Sequence, residues 1–210
     1  MNDSNPEHWI NLKRNRIREF FSGVSERIRD LYNIRDDYIE MEMPASKMSP
    51  EFVKHLKDKV EKYHGDVHIR EASKEDINII MDIYEKAWKS STMPFRISSK
   101  EKLKDIYEYQ GTKFLISSIK NQDVGFILID IAGVGDNTGI IVALGILPEF
   151  QRKGIGHYLA LHAWEYFQKY NVTQFRCEVH VENELAINFI KEFGFKEKKK
   201  YVDPYGSLKV

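Results

Sequence analysis

The stretch PEFQRKGIGHYLA, residues 148 to 160, places a Gly-x-Gly sequence at the junction of two regular patterns. Before it, GIIVALGIL (139–147) is apolar throughout, as expected of a strand buried on both faces. After it, apolar residues recur at helical spacing, at Ile155, Leu159, Ala163, Tyr166 and Phe167. The sequence therefore predicts a strand, a glycine-containing turn and a helix in direct succession.

This succession suits the binding of a phosphate group. Glycine leaves room for a ligand beside the backbone, and the N–H groups and dipole of a first helical turn favour an anion. Arg152 and Lys153 add positive charge at the same turn. From spacing alone, a plain strand-to-helix turn with incidental basic residues explains the stretch equally well. A second Gly-x-Gly, in GVGDNTG (133–139), joins two strands and is interpreted as a hairpin connection.

Length and composition limit the classes of protein to which this chain can belong. The 210 residues suffice for one domain with an appendage, and 32 basic residues balance 32 acidic ones, so no overall charge attracts nucleic acid or an anionic membrane. We find no signal-peptide pattern and no apolar run near the ~20 residues of a membrane span, which favours a cytoplasmic protein without membrane contact. The single cysteine, Cys177, excludes an internal disulfide framework, and the histidines lack metal-ligand spacing, so we predict no metal.

Residues 1–66 are highly charged, and their apolar spacing is mostly helical. YIEMEM (38–43) alternates and predicts a short strand or an extended link, and a further helix is expected from Pro50 onward. NLKRNRIREF (11–20) is basic, but acidic neighbours argue against nucleic-acid binding. We therefore predict a helical N-terminal extension, residues 1–66, that packs on the remaining domain, residues 67–210, or in a homodimer.

Three segments, in this order, resemble the GNAT superfamily of N-acetyltransferases. VHIREASKEDINIIMDIYEKAW (67–88) is similar to the first strand and helix of the family, and LPEFQRKGIGHYLALHAWEY (147–166) to its acetyl-CoA-binding signature. FRCEVHVENELAINFIKEFGFKE (175–197) resembles the strand and helix that follow. The resemblance implies an α/β (α+β) fold: a mixed, mostly antiparallel twisted sheet with helices on both faces. This sheet would split in a V between the strand that ends at Leu147 and the strand around Arg176 to Val181.

The resemblance also implies that acetyl-CoA lies in this V. Its pantetheine would pair with backbone groups of Leu144, Gly145 and Ile146, and Asn183 matches an asparagine of the family that contacts the cofactor, although an N-cap explains Asn183 nearly as well. The pyrophosphate would lie on the turn formed by Gln151, Arg152, Lys153, Gly154, Ile155 and Gly156.

Acetyl transfer to an amine needs a base for the amine and a proton for the departing thiolate. The strand 139–147 has no ionisable side chain, whereas Glu178 falls where some family members carry the base. His180 is a second candidate, because alternation along a strand places it on the same face. The structural alternatives are an exposed strand glutamate and a hydrogen-bonded histidine. Ile190 stands where the family often has a tyrosine acid, so water, Tyr201 or Tyr205 would have to replace it.

The sequence therefore predicts an N-acetyltransferase that moves an acetyl group from acetyl-CoA to a primary amine by direct attack. The amine would belong to a peptide, a protein or a small molecule, with an α-amine preferred. The alternative is an acyl-CoA-binding module without turnover, because Ile190 and the strand 139–147 offer no proton-transfer groups.

Overall fold

The computed structural model describes residues 38–61, 67–89, 97, 99–109, 111–131 and 137–198. The helices and strands in these ranges are, in chain order, β1 (Tyr38–Pro44), α1 (Pro50–Glu61), β2 (Val67–Glu71), α2 (Ile77–Lys89), α3 (Lys100–Tyr107), β3 (Thr112–Ile119), β4 (Gln122–Asp130), β5 (Thr138–Ile146), α4 (Ile155–Lys169), β6 (Gln174–His180), α5 (Glu184–Glu192) and β7 (Lys196–Glu197).

The described strands form one sheet in the order β2-β3-β4-β5-β6-β1-β7, in which only the β5–β6 pair is parallel. Helices cover both faces. On β4, Ile127 and Ile129 pack into the core under α1 and α4, while Phe126 and Leu128 pack into the core under α2 and α3. This architecture confirms the predicted mixed, mostly antiparallel sheet flanked by helices. None of the described helices has the length and apolar character needed to cross a membrane.

Strand β1 lies inside the sheet, between β6 and β7. It pairs antiparallel with β6 over all of its residues, from Tyr38 opposite His180 to Pro44 opposite Gln174. Met41 and Met43 are buried in the core, as the alternation of YIEMEM predicts for a strand with one buried face. The sheet thus contains residues that the sequence analysis assigned to the extension. Alternation predicts a strand but does not specify a partner so distant along the chain. Residues 1–37, with the first helices predicted for the extension, lie outside the described residues.

The sheet splits between β5 and β6. Within the described residues these strands pair only from Thr138 opposite Gln174 to Ile141 opposite Cys177. The register of β5 with β4 shifts at the same point, because Leu128 pairs with Ala143 and Ile129 with Ile141. The bulge at Val142 therefore coincides with the place where β5 leaves β6, and a V-shaped cleft opens beyond it.

The start of α2 is fixed by a buried carboxylate. Asp76 accepts hydrogen bonds from the backbone N–H and the hydroxyl of Ser73, and from the Arg70 guanidinium at 2.6 and 2.9 Å. The Arg70 hydrogen bond lowers the pKa of Asp76 to about 2, so this carboxylate is ionised at neutral pH. These contacts tie α2 to β2 and thereby position the helix that forms one wall of the cleft.

Candidate active site

A cavity of about 1090 Å³ occupies the cleft between the separated ends of β5 and β6. Nine of the ten residues predicted to bind the cofactor line it: Leu144, Gly145, Ile146, Gln151, Arg152, Gly154, Ile155, Gly156 and Asn183. The tenth, Lys153, instead places its ammonium group 5.1 Å from the centre of the Phe150 ring. The structure thus brings these nine residues together, while their role in binding stays a prediction.

The glycine-rich turn contains two residues in the left-handed region. Arg152 has φ 58°, and Gly154, the N-cap of α4, has φ 76° and ψ −4°. The first hydrogen bonds of α4 run from the N–H groups of His157 and Tyr158 to the carbonyl oxygen of Gly154. The N–H groups of Ile155 and Gly156 precede these bonds, and both residues line the cavity. The turn therefore presents the arrangement of amides that favours an anion.

Two of the glycines also permit close packing around the cavity. A Cβ atom on Gly156 would lie 3.2 Å from the Phe189 ring of α5. A Cβ atom on Gly145 would lie 2.8 Å from Phe126 and 3.1 Å from the Trp88 ring of α2. The Trp88 ring therefore lies directly against β5. It stacks on Tyr84 with ring centres 4.4 Å apart, and both aromatic residues line the cavity.

Glu178 and His180 both line the cavity. They alternate along β6 with Phe175, Cys177 and Val179, whose side chains belong to the core on the other face. Glu178 is exposed and stands opposite Glu40 of β1. Lys198 donates a hydrogen bond of 2.9 Å to Glu40, which offsets the repulsion between two carboxylates at directly opposed positions.

His180 is buried, with 8% of its surface exposed. The backbone N–H of Glu182 donates to its Nδ1 atom over 3.2 Å, and the ring of Tyr38 meets its ring edge-on at 5.2 Å. Since the backbone N–H can only donate, the lone pair of Nδ1 is engaged and the neutral ring carries its hydrogen on Nε2. This geometry favours His180 as a hydrogen-bond donor over its role as a second base.

Cys177 is buried at 4% exposure. Burial, reinforced by the charges of Glu178 and Glu40, raises the pKa of its thiol to about 12. The thiol is therefore protonated at neutral pH and does not act as a nucleophile. Among the described residues, no group of three potential ligands is arranged to hold a metal ion.

The sequence predicts that water, Tyr201 or Tyr205 supplies the proton for the departing thiolate. Ile190 lines the cavity with an aliphatic side chain, and Tyr201 and Tyr205 lie outside the described residues. Tyr38 also lines the cavity, although it lies before residue 67, where the sequence predicts that the domain begins. Asn183 lines the cavity and also caps α5 by accepting a hydrogen bond from the Ala186 N–H at 3.0 Å, so both roles considered for it remain compatible.

Comparison with known proteins identifies related chains. An N-alpha-acetyltransferase from Sulfurisphaera tokodaii is 30% identical over 102 residues, which cover 44% of this chain and 60% of that protein. A spermidine N(1)-acetyltransferase from Thermoplasma acidophilum is 26% identical over 145 residues, 62% of this chain and 88% of that protein. The chain spans about three fifths of the length of the first curated relatives that it matches.

Solved structures share the fold. The crystal structure of the PaiA N-acetyltransferase from Thermoplasma acidophilum in complex with coenzyme A superposes with a TM-score of 0.57 and 26% identity, over 64% of this chain and 92% of that chain. The profile of the acetyltransferase (GNAT) family matches residues 80–195, which include the cleft, the glycine-rich turn and most of the cavity wall. This match covers more than half of the sequence, so the chain belongs to the GNAT acetyltransferase family.

Proposed function

We propose that the cleft binds acetyl-CoA and that the protein transfers the acetyl group to a primary amine. The observation that carries this proposal is the left-handed turn at Arg152 and Gly154. This turn comes after the end of β5, where β5 is no longer paired with β6. The edge of β5 around Leu144 and Gly145 would pair with the amide groups of pantetheine. The amides of the turn would hold the pyrophosphate. Coenzyme A in the structure of the PaiA relative supports the choice of cofactor.

Glu178 is the proposed general base. Its carboxylate lines the cavity and lies on the strand that bounds the cleft opposite β5. In the reaction, the amine nitrogen forms a bond to the thioester carbonyl carbon, the carbon–sulfur bond breaks, and the thiolate takes up a proton. Glu178 would accept the proton that the amine loses, directly or through water.

The acceptor that this site suits best is an α-amine. An α-amino group with a pKa near 7.8 is neutral in about one molecule in seven at pH 7, whereas a lysine side chain is neutral in about one in a few thousand. The described cavity offers one carboxylate on β6, Glu178, while the other glutamate in its lining, Glu192, is paired with His157 and position 190 is aliphatic. This set of groups suits an amine that is already partly deprotonated. The acceptor would be a peptide or protein N-terminus or an amino-acid derivative.

A cytoplasmic location and a homodimer stay predictions.

Replacing Glu178 with glutamine tests the base. We expect kcat/KM for an α-amine to fall about 10²- to 10⁴-fold at pH 7, because the proton acceptor is lost. The defect should shrink as the pH rises toward 9, since more of the amine is already deprotonated. Steady-state rates across this range measure the effect. Glu182→Gln is the matched control, because that exposed side chain does not line the cavity. Wild-type rates in Glu178→Gln at every pH would rule out Glu178 as the base.

A binding module without turnover is the second candidate, because Ile190 lines the cavity where a proton donor would be useful. Such a module would bind acetyl-CoA but form no acetylated product. A turnover assay against a panel of amines, run after acetyl-CoA binding has been confirmed, separates this module from an enzyme offered one unsuitable acceptor.

A further inference from the structure

The imidazole of His180 has an unused hydrogen-bond donor. Its Nδ1 accepts from the Glu182 N–H, so the hydrogen of the neutral ring is on Nε2. The described residues give Nε2 no hydrogen-bond partner, although only 8% of the residue is exposed and it lines the cavity. Nε2 is not among the buried side-chain atoms of the described residues that lack a partner, so it opens onto the cavity instead of the packed core. A hydrogen-bond donor in this position can meet an acceptor atom on a ligand.

The position of His180 restricts where this acceptor atom lies. His180 and Glu178 are two residues apart on the same face of β6, so their Cα atoms are roughly 6–7 Å apart. The ring of Tyr38, edge-on at 5.2 Å, packs against the imidazole. A small molecule at Glu178 would thus have its neighbouring atoms within reach of Nε2.

We propose that the Nε2–H of His180 donates to the carbonyl oxygen next to the amine of the acceptor, and so selects α-amines of peptides and amino-acid derivatives. This inference rests on the proposed function, since it assumes that the amine meets Glu178. In an α-amino amide, about 3 Å separates the amine nitrogen from the carbonyl oxygen, so one molecule can contact both side chains. Near the reacting amine, an alkylamine has only C–H groups and a charged polyamine only N–H donors, so neither offers an acceptor atom to Nε2–H.

A matched pair of acceptors tests the proposal. L-Alaninamide has a carboxamide where isopropylamine has one of its two methyl groups. The variants are His180→Leu, which removes the donor, and His180→Gln, which keeps an N–H group at a similar reach. We expect His180→Leu to lower kcat/KM for alaninamide roughly 10- to 100-fold and to change it less than threefold for isopropylamine. His180→Gln should retain most of the preference. The Kd for acetyl-CoA should stay within twofold in both variants, which checks that the cleft is intact.

Each other outcome overturns the inference. An equal loss with both amines in His180→Leu would assign His180 a structural role. An equal loss in both variants, with the acid limb of the pH–rate profile removed, would make His180 a base. Unchanged rates in His180→Leu would leave the donor without a function in catalysis. If the wild-type protein binds acetyl-CoA and acetylates neither amine, both the proposed function and this inference fail. A failure of this inference alone is different, because the wild-type protein then still acetylates an amine.

Discussion

Replacing Gly154 with valine is expected to weaken acetyl-CoA binding about 100-fold while the protein stays folded. Gly154 has φ 76°, a conformation that costs other L-residues about 1–2 kcal/mol and a β-branched residue more. If the loop relaxes from this conformation, its amide groups no longer point at the pyrophosphate. Each hydrogen bond to a charged group contributes about 1.5–3 kcal/mol. A combined loss of about 3 kcal/mol corresponds to the 100-fold change in Kd.

Two control variants separate the possible causes. Gly154→Asn adds a side chain that tolerates the left-handed region, so it should weaken binding less than valine does. Lys153→Ala removes a charge that lies over Phe150 outside the cavity lining, and we expect an effect of a few-fold at most. Calorimetric titration with acetyl-CoA gives the Kd of each variant. Unchanged affinity in a folded Gly154→Val protein would show that this turn does not hold the cofactor.

Replacing Met41 with aspartate is expected to destabilise the whole domain by about 3–5 kcal/mol. Met41 is fully buried at the centre of β1, opposite Cys177 of β6 and Glu197 of β7. An unpaired charge at such a site carries a penalty of this size, which is a large share of the 5–15 kcal/mol that stabilises a typical domain. Urea unfolding curves measure the change.

The matched control for this effect is Glu42→Gln, on the partly exposed face of the same strand. It should change the free energy of unfolding by less than about 1 kcal/mol. If Met41→Asp were equally mild, β1 would not be part of the stable sheet, and the domain would begin near residue 67 as the sequence analysis predicts.

The sequence was most informative where structure and chemistry depend on neighbouring residues. The apolar strand, the glycine turn and the helix after it occupy adjacent positions, so their order could be read directly from residues 139–167. The cap at Asn183 also follows from local pattern. Family resemblance supplied the split of the sheet, because that split depends on how β5 and β6 diverge in space.

The remaining features depend on contacts between distant parts of the chain. No local signal pairs YIEMEM with a strand at residues 174–180, so Tyr38 could not be placed in the cavity. Trp88 ends the segment that resembles the first helix of the family, and its contact with β5 depends on the missing side chain of Gly145. The donor role of His180 depends on the chain turning back after β6 so that the Glu182 N–H meets Nδ1.

The most direct test of acetyl transfer in this cleft follows an isotopic label. The protein is incubated with acetyl-CoA that carries a ¹³C-labelled acetyl group and with one of three acceptors: L-alaninamide, spermidine or an N-terminally acetylated lysine peptide. Each acceptor is tested in its own reaction. Mass spectrometry then measures the labelled product and the released coenzyme A. We expect label on the amine of alaninamide, one coenzyme A released for each acetyl group transferred, and slower labelling of the other two acceptors. Tight binding of acetyl-CoA without label on any amine would contradict acetyl transfer in this cleft.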